Sequence, residues 1–407
     1  MFWNVISESN LRRFAKFLSM FIAKDSKVYT WLKRQVYFRL AANRIIFDQF
    51  KTLTYTGKRF YFFKYREIIL AIDSGPLNDT RGIGRVTKNL FLEVDERLAI
   101  HSTDKSLEQL LSVKESKVDI YLYPSIQWAE ENKLSKSALI IFDILPISFP
   151  NLFPDSRIRE WKKKYKKFAM KARVIITVSE YSASEITEKI GISKEQLYVV
   201  PLGIENKIIS SGSNLHNSVS IPYKKYFIFI GSNDYHKNLD IVIKALCDSS
   251  LTGCGLVVVG ENFTKVQMNT WSNILKNRIT FYGYLNDDKT VKLLSGAEAL
   301  LLPSFSEGFG FPPFEAAIQN IPSICSDRPA MNQVLKGAAL FADPTDERDW
   351  VFAMNKILRR DSIIFEKLEN AKKLTEKYKW KKFLQRLLTI LQSSTKSDYR
   401  IRSDDSR

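Results

Sequence analysis

From Glu67 onward the chain repeats one pattern: a short apolar run, a loop, then an amphipathic stretch. Residues 68–72, 118–123, 138–142, 174–178 and 197–201 supply a first series of such runs. A second series follows at 226–230, 256–259, 279–282, 299–302 and 323–325. Strands alternating with helices imply crossover connections and hence parallel sheet. Runs without polar alternation fit strands buried on both faces. The polar stretch 210–220 separates the two series, and Pro201-Leu202-Gly203 leads into it. The pattern therefore predicts an α/β chain with two parallel-sheet halves. Open sheets of this kind bind ligands outside the carboxyl ends of their strands, so two halves facing one another are expected to form a binding cleft.

The most informative loop follows the run at 299–302. It reads Ser304-Phe305-Ser306-Glu307-Gly308-Phe309-Gly310-Phe311-Pro312-Pro313-Phe314-Glu315. Glu307 stands at the end of a strand, Gly308 and Gly310 flank Phe309, and two prolines open a helix that carries Glu315 in its first turn. Proline is tolerated there because the first helical N–H groups lack intrahelical partners. Backbone N–H groups beside the glycines, together with the positive end of the helix, favour an anion. The two glutamates add acceptors for hydroxyls on either side of it. A nucleotide-diphosphate sugar has that order of groups: hydroxyls, diphosphate, hydroxyls. A lone Gly-x-Gly would be explained by the turn alone; the full dozen residues is not.

This segment resembles the donor-site signature of the retaining glycosyltransferases of GT-B fold, and within them the mannosyltransferase-like members of glycosyltransferase family 4. The resemblance covers about residues 67–392. It implies an amino-terminal Rossmann-like acceptor domain at 67–204 and a nucleotide-sugar donor domain at 205–373. A helix at 374–392, opened by Lys379-Trp380-Lys381-Lys382, is expected to pack back on the first domain. By the same resemblance Glu307 meets the donor sugar and Glu315 the ribose, with Gly308, Phe309 and Gly310 around the diphosphate.

Other motifs agree with this reading. Phe229-Ile230-Gly231-Ser232-Asn233-Asp234-Tyr235-His236-Lys237-Asn238 joins a strand, a glycine turn and a lysine at a helix start. A lysine there offers a point charge to a leaving pyrophosphate. The family has Arg-Lys where this chain has His236-Lys237, and an imidazole can still donate hydrogen bonds. Gly82-Ile83-Gly84-Arg85 resembles the family's glycine loop on the diphosphate side of the amino-terminal domain. In Phe142-Asp143-Ile144-Leu145-Pro146, phenylalanine stands where the family often has histidine, leaving Asp143 as the candidate for positioning the sugar or the acceptor. An aspartate after a strand also caps turns. Gly283-Tyr284-Leu285 matches the turn that the family places near the nucleotide base, so Tyr284 and Leu285 join the expected donor contacts.

Charge constrains partners. The 407 residues carry a formal net charge of +18, and residues 1–69 hold 14 Lys and Arg against 4 Asp and Glu. Residues 1–66 read as a basic amphipathic helical extension. Its apolar face fits either a membrane interface or the protein's own body. The basic stretches 9–50 and 162–167 are the expected contacts for an anionic membrane surface. No run reaches about 18 apolar residues, the length of a spanning helix. Three scattered cysteines fit a reduced, cytoplasmic protein, and neither they nor the three histidines have metal-ligand spacing. Residues 393–407 are polar and read as a disordered tail.

The expectation is an α/β, GT-B glycosyltransferase with no metal and no cofactor. It would move a hexose from a nucleotide-diphosphate sugar to a glycan or lipid-linked acceptor in polysaccharide biosynthesis. It would be cytoplasmic, peripheral on the membrane face. Two rivals remain at this stage. Loss of the family's histidine and arginine also fits a catalytically silent sugar-nucleotide-binding subunit. The +18 charge alone would fit a nucleic-acid binder, but no nucleic-acid module accompanies it.

Overall fold

The computed structural model describes residues 59–79, 82–100, 107–110, 112–152, 155–205 and 221–404. Residues 1–58, including the basic segment 9–50, and the polar loop 210–220 lie outside the described residues. The first elements are strands β1 (Phe60–Tyr65) and β2 (Ile68–Asp73), helix α1 (Gly82–Ile100), and strands β3 (Leu107–Leu110), β4 (Ile120–Tyr123) and β5 (Ser137–Ile140). Then come α2 (Leu145–Ser148), α3 (Asp155–Lys171), β6 (Val174–Thr177), α4 (Glu180–Ile190) and β7 (Leu197–Val199). The second half begins with β8 (Tyr226–Ile230), α5 (Leu239–Ala245), β9 (Gly255–Val259), α6 (Lys265–Ile274), β10 (Ile279–Tyr282) and α7 (Asp287–Ser295). It continues with β11 (Ala299–Leu302), α8 (Pro312–Ile318), β12 (Ser323–Ser326), α9 (Pro329–Leu335) and β13 (Leu340–Ala342). Helices α10 (Glu347–Arg359), α11 (Ser362–Lys377) and α12 (Trp380–Asp404) close the chain.

The first sheet has strand order β3-β1-β2-β4-β5-β6-β7 and the second β10-β9-β8-β11-β12-β13. All five pairings of the second sheet are parallel. Its alternation decides which helices it carries. Phe227 and Phe229 of β8 and Leu256 and Val258 of β9 face one way, into a core with Val242, Trp271, Trp350 and Met354 from α5, α6 and α10. Tyr226, Ile228, Val257 and Val259 face the other way and meet Leu293 and Leu294 of α7 and Ala316 of α8. Both faces are apolar because helices cover both.

In the first sheet, β1 runs antiparallel to β2 and β3. This corrects the sequence reading, which ran the helical extension through residue 66. Tyr61, Phe63 and Tyr65 are buried while Lys64 is exposed, a period-two pattern. A tight turn at Arg66, with φ 52°, returns the chain into β2. At the other end, α12 runs to Asp404, so 393–404 continue a helix where a disordered tail was expected. The closing helix expected at 374–392 is two helices, α11 and α12, broken where Tyr378 turns extended.

The strands change sheets between Val199 and Tyr226, but by packing the chain divides elsewhere. Among the described residues, one compact unit comprises those up to Leu139 together with those from Thr395 on, and the other those between Ile140 and Ser394. In the first unit, Val86, Leu90, Phe91 and Val94 form the buried stripe of α1. At its start, a Cβ on Gly84 would lie 1.8 Å from the Asp79 carbonyl oxygen. Only glycine lets the 76–79 turn approach the helix that closely. In the second unit, the backbone of the segment after β5 is held against α9 and the junction of α11 and α12. Ile204 N donates to Tyr378 O, Tyr181 N donates to Gln333 Oε1, and Gly203 lies against Trp380.

Candidate active site

The carboxyl ends of β8 and β11 are adjacent because these strands pair in register. Two loops therefore meet above them. Phe305 N donates to His236 O at 2.7 Å. Asn238, held in the left-handed region at φ 53°, donates from Nδ2 to the carbonyls of Pro303 and Pro344. It thereby stitches the loops after β8, β11 and β13. The sequence reading quoted Asn238 but gave it no role; its signal was a residue tolerant of left-handed backbone just before a helix.

The stitching delivers an ion pair. Lys237 Nζ lies 2.6 Å from Glu307 Oε1, with the two side chains 20% and 14% exposed. Ser304 Oγ donates to the same oxygen at 2.6 Å. Burial works to raise the Glu307 pKa, but Lys237, His236 and the hydrogen bonds from Lys237 and Ser304 outweigh it and hold the carboxylate below its usual range. Burial and the neighbouring Lys237 push the His236 pKa down, so its imidazole is neutral at pH 7. The two loops after β8 and β11 thus contribute one lysine facing one carboxylate, with a neutral imidazole beside them.

Asp143 is brought to the same place from the first sheet. Its Oδ1 accepts from Leu145 N at 3.2 Å, which folds a turn at the entry to α2, one residue ahead of the cap Ile144. Burial raises its pKa to about 6; the Glu307 and Glu185 charges add to this, against Leu145 N–H and Lys237. The contact that sets this distance is backbone on backbone. A Cβ on Gly308 would lie 2.6 Å from the Phe142 carbonyl oxygen, which also accepts from Ser182 Oγ. The glycine after Glu307 lets the two loops touch.

The remaining candidates divide. Gly310 has φ +76° and shapes the turn into α8. Phe309 does not offer its ring to a ligand: it is 4% exposed and packs with Phe311, Phe314 and Tyr378. Only its backbone can serve the donor. The two prolines of α8 bring no N–H groups, and Phe314 and Glu315 donate to Phe311 O. Glu315 is half-buried in the first turn of α8. Leu285 packs on the core beneath β9 and β10, whereas Tyr284 is 52% exposed. Gly82 and Gly84 stand at the start of α1, in the amino-terminal unit.

Comparison with known proteins gives the site its context. Residues 214–379, which hold Lys237, Glu307 and Glu315, match the family model described as Glycosyl transferases group 1. The match covers less than half of the chain. O-antigen chain mannosyltransferase RfbU of Salmonella typhimurium is 28% identical over 231 residues, 55% of this chain and 61% of the relative. O-antigen chain mannosyltransferase B of Escherichia coli is 24% identical over 237 residues, 56% of this chain and 62% of the relative. The match thus spans about three fifths of the length of these curated relatives. Among solved structures, Anabaena Alr3699/HepE in complex with UDP and glucose superposes with a TM-score of 0.55 at 15% identity, covering 77% of this chain and 83% of that one. The fold is GT-B, and the segment that matches the family model is built on the second sheet.

Proposed function

We infer that this protein is a retaining hexosyltransferase, moving a mannose-like sugar from a nucleotide-diphosphate donor to a glycan or lipid-linked glycan. The observation that carries the reading is the Lys237–Glu307 pair at paired strand ends of the segment that matches the family model, with Asp143 beside it. Similarity to two O-antigen chain mannosyltransferases supports the sugar and polysaccharide biosynthesis as the setting.

In this reading the bond from the anomeric carbon to the phosphate oxygen breaks as the acceptor oxygen bonds to the same carbon. The acceptor's proton passes to the departing phosphate, so no protein base is required. Lys237 meets the developing negative charge, and neutral His236 donates a hydrogen bond to it. Ionised Glu307 and Asp143 accept from sugar hydroxyls, and Glu315 accepts from the ribose. The chemistry so drawn calls on no resident cofactor or metal.

The acceptor is proposed to lie on an anionic membrane face in the cytoplasm. On α3, Lys162, Lys163 and Lys166 are exposed while Tyr165 between them is buried, so the basic run presents one cationic face. Among the described residues, no helix is long and apolar enough to cross a membrane. Replacing Lys162, Lys163 and Lys166 by Gln is expected to reduce flotation with vesicles rich in anionic lipid about tenfold or more. Equal flotation of wild type and variant would remove α3 from membrane contact.

The main test is a panel of nucleotide sugars, read first by thermal shift and then by transfer to a mannosylated acceptor. A donor that both stabilises the protein and is consumed supports the reading. A donor that binds without transfer or hydrolysis would favour a silent sugar-nucleotide-binding subunit, the reading motivated by Phe142 and His236.

A further inference from the structure

The Asp143 loop is tied to α4 on both sides. Before it, Ser182 Oγ donates to the Phe142 carbonyl at 2.9 Å. After it, α2 ends at Ser148, whose Oγ donates to Glu185 Oε1 at 2.7 Å. Lys189 Nζ lies 2.5 Å from the same Glu185 oxygen and donates to Ser148 Oγ at 3.0 Å. Glu185 is 7% exposed. A Glu–Lys pair one helical turn apart is ordinarily a solvated surface feature; a carboxylate is buried like this only when fully partnered. Its partners here are Lys189 and the Tyr181 hydroxyl of its own helix and Ser148, the far end of the segment that begins with Asp143.

We propose that Glu185 is a positioning residue of the donor site: with Lys189 and Ser148 it clamps α2 and so holds Asp143 beside Lys237 and Glu307. The proposal rests on the site reading given above and adds a residue to it. The groups that bear on Asp143 are Glu307 and Lys237 from the donor-domain loops, Glu185 from α4 and Tyr165 from α3. Tyr165 also donates its hydroxyl to the Asp143 carbonyl. Among these, Glu185 favours the protonated form of Asp143, and Lys189 offsets that charge.

Two variants therefore push in opposite directions. Glu185→Gln keeps an acceptor for Ser148 and removes the negative charge, so Asp143 gives up its proton at lower pH. Lys189→Met leaves the Glu185 charge unopposed, so Asp143 keeps its proton to higher pH. A 13C carboxyl titration of the full chain, with Asp143 assigned by loss of its signal in Asp143→Asn, reads this without turnover. The midpoint is expected to fall by about half a unit in the first variant and to rise by a similar amount in the second. The acid limb of the transfer rate should move likewise, with KM for the donor rising about tenfold while kcat changes less. Midpoints equal to wild type in both variants, at unchanged melting temperature, overturn the proposal. Shifted midpoints in a protein that transfers no sugar would uphold the clamp and sink the transferase reading, which separates the two failures.

Discussion

Lys237→Ala is expected to lower kcat/KM by about 100- to 1,000-fold, the cost of losing one preorganised contact to a developing charge, ~2.7–4 kcal/mol. It should also weaken the fold. The lysine's partner, Glu307, is 14% exposed and would be left without its cation. Breaking a buried pair costs about 3–5 kcal/mol, and partial exposure of both groups puts this one at the lower end. Glu307 has a depressed pKa in the native protein, so its contribution to stability is present above the ordinary carboxylate range and is lost as pH falls through the folded value. Without Lys237 the largest cause left is burial, which raises the pKa, and the variant should be least stable at neutral pH. Glu307→Gln keeps the size of the side chain and an acceptor for Ser304. It is expected to lose comparable activity with a smaller stability loss. Initial rates with the identified donor, and urea melts at pH 5 and 7.5, check both. Near-normal turnover in either variant would end the assignment of this pair to the donor.

Asp143→Asn should separate activity from stability. With a folded pKa of about 6, Asp143 binds its proton more tightly in the native state than in the unfolded chain. Stability therefore declines as pH rises from about 4 to about 6, and above that the cost of an ionised buried carboxylate is fully present. Asparagine removes that cost and can still accept from Leu145 N–H. The variant is expected to be more stable than wild type at pH 7.5, on the order of 2 kcal/mol, with the advantage gone by pH 4. Transfer should drop about 100-fold or more, because an amide is a weaker acceptor for a sugar hydroxyl. Paired melts at pH 4.5 and 7.5, beside a transfer assay, measure this. A variant less stable than wild type at both pH values would show that Asp143 is a turn cap and nothing more.

Much of the fold was legible because the inner strands of both sheets are buried on both faces. Uninterrupted apolar runs such as Ala299–Leu302 admit few other readings, and ten strands were placed from them. The strands that escaped notice lack that signature. β1 continues the aromatic, basic composition of the residues before it, and its alternation emerges only once Lys64 is known to face outward. β3 carries two polar residues among four, and β13 is three residues long. Of the site, Lys237, Glu307 and Asp143 could be named because each follows a strand end. Asn238 and Glu185 could not, since their partners lie far away in sequence: Pro303 and Pro344 for one, Ser148 for the other. The burial of Phe309 could not be read either, because the Phe314 and Tyr378 rings that cover it meet it only in the fold.

The touch of Gly308 on the Phe142 carbonyl also bears on how such a protein can be divided. Residues 140–204 belong by strand order to the first sheet, yet they cohere with the donor half. A fragment begun at residues 206–220 would uncover Gly308, the Gln333 side chain and the Tyr378 carbonyl, which Phe142, Tyr181 and Ile204 now meet. Any exchange of halves between relatives that respects this joint would break the chain ahead of Ile140, so that the imported piece brings its own aspartate-bearing loop with it.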